Sequence, residues 1–206
     1  MRGHLIVVEG CDRSGKTTQC ERLVQSLQEH GKDAELVKFP DRTTQTGKMI
    51  DSYLKQTSHL DDHAIHLLFS ANRWEAMDAL KEKLSQGKTL IVDRYAFSGV
   101  AFSAAKGLDF EWCRGPDVGL LVPDVVMFLD LTMDEAEKRG GFGEERYEKR
   151  ELQMQVRKEF DKLMDDTWKM VDASQTKDQV HTAMLTIVNE LPAPGPVRSG
   201  LWKETQ

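Results

Sequence analysis

The stretch GCDRSGKT, Gly10 to Thr17, decides the fold. It sets a glycine, four residues and then Gly15-Lys16-Thr17 between the apolar run Leu5-Ile6-Val7-Val8 and a segment with helical spacing at Leu23, Val24 and Leu27. Strand, loop and helix in that order place the loop N–H groups at a helix start, where the helix dipole also favours an anion. The plainer reading, a tight glycine turn with an exposed lysine, requires neither flank. In a phosphate loop Lys16 reaches the β- and γ-phosphates of a donor nucleotide and the Thr17 hydroxyl ligates magnesium. Gly10, Asp12, Arg13, Ser14, Gly15 and Thr18 complete the expected ATP-binding loop. Arg13 is surplus to wrapping a phosphate. Phosphoryl transfer gains its rate from positioning and from charge placed between donor and acceptor, so Arg13 is expected to act as an arginine finger carried in cis. The alternative is an ion pair with a nearby carboxylate such as Asp12.

Outward from the loop, apolar runs recur at 36–39, 89–92, 125–131 and 170–173, separated by segments of helical period. Alternating strands and helices predict a parallel sheet covered on both faces, an α/β fold. The chain of 206 residues suits one domain, here 1–191. The stretch LPAPGPVRSG at 191–200 ends the last helix and opens a tail, 192–206, from which Leu201 and Trp202 are candidates to dock back. A formal net charge of −6 without a basic block speaks against nucleic-acid and membrane-surface binding, and assigns the arginines to small phosphorylated ligands. Cys11, Cys20 and Cys113 are odd in number and unpaired in spacing, which suits a reducing compartment. No run nears membrane-spanning length and the N-terminal strand is too brief for a signal core. A soluble cytoplasmic protein is expected, with nuclear or mitochondrial pools left open.

Several further segments carry chemistry. TLIVDRY at 89–95 ends a strand in Asp93, either a carboxylate that holds magnesium through water or a cap on the following turn. Arg94 follows at the same rim. KFPDR at 38–42 brings Arg42 out at a second strand end, and the two arginines suggest a clamp on a monophosphate, since guanidinium forks match phosphate oxygens. Residues 61–86 read as one long helix stopping at Gly87. On it Phe69 and Arg73 lie one turn apart, suited either to stack on a nucleobase and bond its edge or, for Phe69, to core packing. His63 and His66 lack a third ligand for a metal. The glycine-rich, charged segment 138–150 offers Arg139 and Arg146 as a lid that excludes water, or else is a solvated loop.

Together GCDRSGKTT, FPDRTTQTGKMI, HLLFSANRWE, VDRYAFSGVAFS, PDVGL and RGGFGEERYE resemble the eukaryotic thymidylate kinases, from the first strand to about residue 173. The resemblance implies a P-loop nucleoside monophosphate kinase fold with strand order 2-3-1-4-5, a homodimer, and magnesium-dependent transfer from ATP to dTMP giving dTDP for dTTP synthesis. It implies Phe69 on the thymine ring, Arg73 at its O4 edge, Arg42 and Arg94 on the acceptor phosphate, Asp12 at the 3′-hydroxyl and Tyr147 near the 2′ position. Arg139 would face adenine, and Phe39, Gly99 and Phe102 would wall the acceptor pocket. Cys11 stands where an aliphatic residue is usual, suggesting an oxidation-sensitive thiol beside phosphate. The rival readings are a kinase for another acceptor and a catalytically silent nucleotide-binding module. A GTPase lacks support, because the sequence has no Asn-Lys-x-Asp motif.

Overall fold

A computed structural model describes residues 1–139 and 145–203. Five parallel strands, β1 (Leu5–Glu9), β2 (Ala34–Lys38), β3 (Thr89–Asp93), β4 (Val125–Asp130) and β5 (Trp168–Asp172), pair in the order β2-β3-β1-β4-β5. This is the order that the resemblance implied. Around them run α1 (Lys16–Glu29), α2 (Gln45–Leu54), α3 (Asp62–Trp74), α4 (Met77–Ser85), α5 (Ala96–Ala104), α6 (Phe110–Arg114), α7 (Met133–Lys138), α8 (Arg150–Leu163) and α9 (Lys177–Glu190).

Successive strand side chains point to opposite faces, so each strand feeds two cores. Leu5, Val7, Leu90, Val92, Val126 and Phe128 join Ile50, Ile65, Phe97, Val156 and Phe160 on the face covered by α2 to α5 and α8. Ile6, Val8, Val125, Met127 and Leu129 join Cys20, Leu23, Leu27, Val180, Met184 and Val188 under α1 and α9. Because the strands are parallel, their C-terminal ends lie along one edge. In register, Val8 of β1 pairs with Asp93 of β3, and Lys38 of β2 also pairs with Asp93. The turns after β1, β2 and β3 therefore emerge side by side.

The helix expected over 61–86 is two helices, α3 and α4, joined by a tight turn in which the Ala76 N–H bonds to Arg73 O. The reason is tertiary. Asn72, Arg73 and Glu75 are bonded to the β2 exit, to Asp117 and to Thr46, whereas Met77, Leu80 and Leu84 are buried in the core. One straight helix cannot meet both demands. Strand β2 begins at Ala34 rather than at 36, which puts Phe39 beyond the strand, and β5 begins at Trp168 rather than at 170. The tail docks through Leu201: Gly119 N–H donates to Leu201 O, Leu201 N–H to Leu120 O, and the Trp202 ring meets Phe97 edge-on at 5.5 Å.

Candidate active site

Strand β1 delivers the loop and α1 receives it. Gly10 has φ 148°, and a Cβ there would lie 2.7 Å from Leu129 O, so no side chain fits. Gly15, at φ 93°, caps α1. Arg13 takes φ 63° and Arg94 φ 69°, left-handed conformations that L-residues pay for and that cluster at functional sites. Lys16 is buried, its Nζ donating to Cys11 O at 2.7 Å and Ser14 Oγ at 3.3 Å. Burial, then the nearby Arg94 guanidinium, lowers its pKa to about 8. Thr17 Oγ1 donates to Asp93 Oδ2 at 2.5 Å, which brings the loop hydroxyl together with the carboxylate ending β3.

Arg13 does not pair with Asp12. Its Nε bonds Glu148 Oε1 at 2.9 Å, across the segment leading into α8. Asp12 instead takes Arg94, whose Nη1 also donates to Gly10 O (3.2 Å) and Ser98 Oγ (3.0 Å). Arg42 is held by Asp51 at 2.7 Å and Glu145 at 2.9 Å. On α3 the buried Arg73 forms a fork to Asp117, Nε to Oδ1 at 3.1 Å and Nη2 to Oδ2 at 2.6 Å. Its guanidinium lies against Gly99 of α5, where a Cβ would come within 2.7 Å of Nη2. Phe69, half-buried, stands one turn earlier.

These groups line one cavity of about 450 Å³. Asp12, Phe39, Arg42, Phe69, Arg73, Arg94, Gly99, Phe102 and Tyr147, expected at the acceptor, line it together with the loop residues Arg13, Gly15, Lys16, Thr17 and Thr18. Six cationic side chains (Arg13, Lys16, Lys38, Arg42, Arg73, Arg94) line it against four carboxylates (Asp12, Asp93, Glu145, Glu148), so the cleft is cationic in an acidic protein and suits anionic ligands. Tyr147 packs at a tilt against Phe102, ring centroids 5.5 Å apart, and accepts from Lys106 Nζ at 3.3 Å.

Gly10, Ser14 and Arg139 are not among the lining residues. Arg139 lies over the loop from outside, donating to Arg13 O at 3.1 Å and to Ala173 O. Arg146, expected over the site with Arg139, is turned away. It stacks 4.1 Å over the Tyr53 ring and donates to Tyr53 O (2.8 Å) and Ser58 O (2.9 Å), satisfying carbonyls at the end of α2. The centre of the expected lid, 140–144, lies outside the described residues. Cys11 is buried, with its thiol pushed up to about 11 chiefly by burial, so it is a shielded neutral thiol rather than an oxidation-prone one.

Three supporting residues escaped sequence reasoning. Glu9, fully buried with its carboxyl pKa raised by burial, accepts from Tyr95 N (2.8 Å), Ser98 N (3.0 Å) and Ser98 Oγ (2.5 Å). It thereby caps α5 from β1, next to Arg94. Gln153 of α8 holds Asp12 twice: Oε1 accepts the Asp12 N–H at 2.9 Å and Nε2 donates to its carboxylate at 2.6 Å. Asp117 anchors Arg73. A charged residue inside the apolar run LIVVE was the one signal available for Glu9; for Gln153 there was none.

The sequence model of the family described as thymidylate kinase matches residues 8–184. Thymidylate kinase of Danio rerio is 56% identical over 184 residues, covering 87% of each chain, and that of Homo sapiens is 55% identical with the same coverage. The solved structure of thymidylate kinase from Candida albicans superposes with a TM-score of 0.88 at 38% identity, covering 96% of this chain and 98% of that one.

Proposed function

The chain belongs to the thymidylate kinase family and is a nucleoside monophosphate kinase that phosphorylates dTMP with ATP, and we propose that the cavity between the phosphate loop and α3 is where it does so. One observation carries the assignment. The loop cations Lys16 and Arg13, the rim arginines Arg42 and Arg94, and Phe69 and Arg73 all line one cavity, so groups suited to a donor nucleotide and to a phosphorylated acceptor share one cleft.

In this reading Lys16 and the loop N–H groups hold the β- and γ-phosphates, and Arg139 covers the adenine side. The acceptor phosphate enters between Arg42 and Arg94, taking the place of the Glu145 carboxylate on Arg42. The thymine stacks on Phe69 and takes O4 to Arg73. Asp117 occupies Nε and Nη2 of that arginine, which leaves Nη1 for the base. Asp12, oriented by Gln153, meets the 3′-hydroxyl, and Tyr147 fills the space a 2′-hydroxyl would need. Arg13 then bears on the oxygens in transfer, where added positive charge lowers the barrier. Thr17 and Asp93 bring two hard oxygen donors together, a set that fits magnesium completed by water. When bound, the ion supplies charge neutralisation on the phosphates. Arg139 and Glu148, on either side of the centre of the expected lid, both bond to Arg13 of the loop.

A homodimer through α3 is supported by large exposed apolar side chains on and beside that helix. Leu67 and Trp74 lie two turns apart on one side of the helix, flanked by Trp112, whose ring meets His63 at 4.8 Å, and by Val118. A cytoplasmic location fits three free, buried cysteines. Among the described residues no helix is long and apolar enough to cross a membrane.

A coupled assay of ATP consumption with dTMP, dUMP, dCMP, dGMP and AMP tests the function. The dTMP rate should exceed those of the purine nucleotides by at least about tenfold, the scale of one lost hydrogen bond to the base. Equal rates with AMP or dGMP would overturn the acceptor assignment.

A further inference from the structure

Behind the acceptor wall, fully buried His66 of α3 makes two hydrogen bonds: Nδ1 with Ser103 Oγ at 2.8 Å and Nε2 with Cys113 O at 2.9 Å. A carbonyl oxygen can only accept. Nε2 therefore carries the ring proton, and Nδ1 is left with a lone pair. The Ser103 hydroxyl must then donate to Nδ1. Burial, and after it the Arg73 guanidinium, lowers the proton affinity of the ring against the opposing pull of Asp117, with Lys106 the remaining nearby charge, so the neutral ring is the resting form.

Ser103 lines the cavity one turn beyond Gly99, the residue on which the Arg73 guanidinium lies. Among the described residues its Oγ bonds to His66 alone. With its proton committed inward, the hydroxyl has only lone pairs to offer a ligand. The wall thus presents a donor, Arg73, beside an obligate acceptor, Ser103.

We propose that His66 is a positioning residue that fixes Ser103 as an acceptor at the base edge, and that the pair selects pyrimidines with an N3–H, thymine and uracil, over cytosine. Cytosine N3 is itself an acceptor and would meet another lone pair, a mismatch that polar sites reject strongly. The inference rests on the reading of this cavity as the nucleobase pocket.

The test measures kcat/KM for dTMP, dUMP and dCMP, with ATP, in the parent, His66→Gln, His66→Asn and Ser103→Ala. Glutamine keeps a donor for Cys113 O but offers nothing at Nδ1, so the serine hydroxyl can turn. The preference for dUMP over dCMP should then fall about tenfold, the scale of one hydrogen bond. The dTMP-to-dUMP ratio should stay at the parent value, since both bases carry N3–H. Asparagine places a carboxamide oxygen near the Nδ1 position and should restore the parent preference. Ser103→Ala removes the acceptor and should lower the dUMP-to-dCMP ratio as glutamine does; should His66→Gln not fold, this variant alone decides. A folded His66→Gln or Ser103→Ala enzyme that keeps the parent dUMP-to-dCMP ratio overturns the proposal, as does an equal loss for all three nucleotides. A parent enzyme inactive with dTMP would instead refute the function on which the proposal rests.

Discussion

At the scale of single residues the site is a set of cations held ready by carboxylates and carbonyls. Lys16, buried and folded onto Cys11 O, has its pKa lowered to about 8. A donor triphosphate restores the charge that burial disfavours, so ATP binding above that pKa must take up a proton. Titration calorimetry at pH 8.5 in buffers of differing ionisation enthalpy should report uptake of roughly three-quarters of a proton. Lys16→Arg, whose guanidinium stays charged, should show none. For folding the sign is as follows: the folded pKa lies below the unfolded one, so this residue disfavours the free folded protein below about pH 8, and that cost fades as pH rises toward the unfolded value. Arg13 reaches the cavity from a left-handed loop position and pairs with Glu148 rather than with its neighbour Asp12. Arg13→Gly relieves that backbone and should leave the fold intact while lowering kcat by about 10³-fold, the scale of an arginine finger. A kcat within about threefold of the parent, less than about 0.7 kcal/mol, would make Arg13 structural.

At the scale of elements, α3 does the positioning on the acceptor side. Its N-cap Asp61 accepts from the His63 and Ala64 N–H groups, and Ile65 on the inner face is fully buried. Three polar anchors, Asn72 to the β2 exit, Arg73 to Asp117 and Ser70 to Asp117, fix its rotation so that Phe69 faces the cavity. Losing the ring should cost roughly 1–3 kcal/mol of base stacking. Phe69→Ala is therefore expected to raise KM for dTMP about 5- to 150-fold with little change in KM for ATP; a shift in the ATP value instead would put α3 on the donor side. Periodicity alone made 61–86 one helix, because nothing in HLLFSANRWEAMDAL breaks a helix by propensity. The turn at Glu75–Ala76 comes from anchors far away in sequence, Thr46 and Pro116 among them, which bind Glu75 and Trp74.

At the scale of the whole molecule, the two-sided sheet holds the strand ends together while the tail closes one side. Leu201 is buried and bonded to Gly119 and Leu120, although it follows a proline- and glycine-rich stretch. Removing it should cost about 2–3 kcal/mol, and in a chain of this size each kcal/mol corresponds to about 2–4 °C. Leu201→Ala should therefore lower Tm by roughly 4–12 °C without changing kcat at 25 °C, as calorimetry and the coupled assay can check. An unchanged Tm would mean that the tail contributes nothing in solution. The phosphate loop was legible in the sequence, as was the alternation of strand and helix, because both depend on local rules: glycine where a side chain cannot fit, apolar period in strands and helices, and a helix start that draws anions. The Arg42–Arg94 clamp was suggested by two strand ends and Phe69 by helical spacing, the roles of Asp12 and Tyr147 came through resemblance to a family, and only tertiary structure brings these residues around one cavity. What the chain order could not reveal was partnership between distant residues. Gln153 holds Asp12 across 141 positions, Asp117 anchors Arg73, Arg146 leaves the site for Tyr53, and Arg13 chooses Glu148 over its neighbour. Such pairings are set by which side chains the folded sheet brings within hydrogen-bond reach, and sequence separation carries no record of that distance.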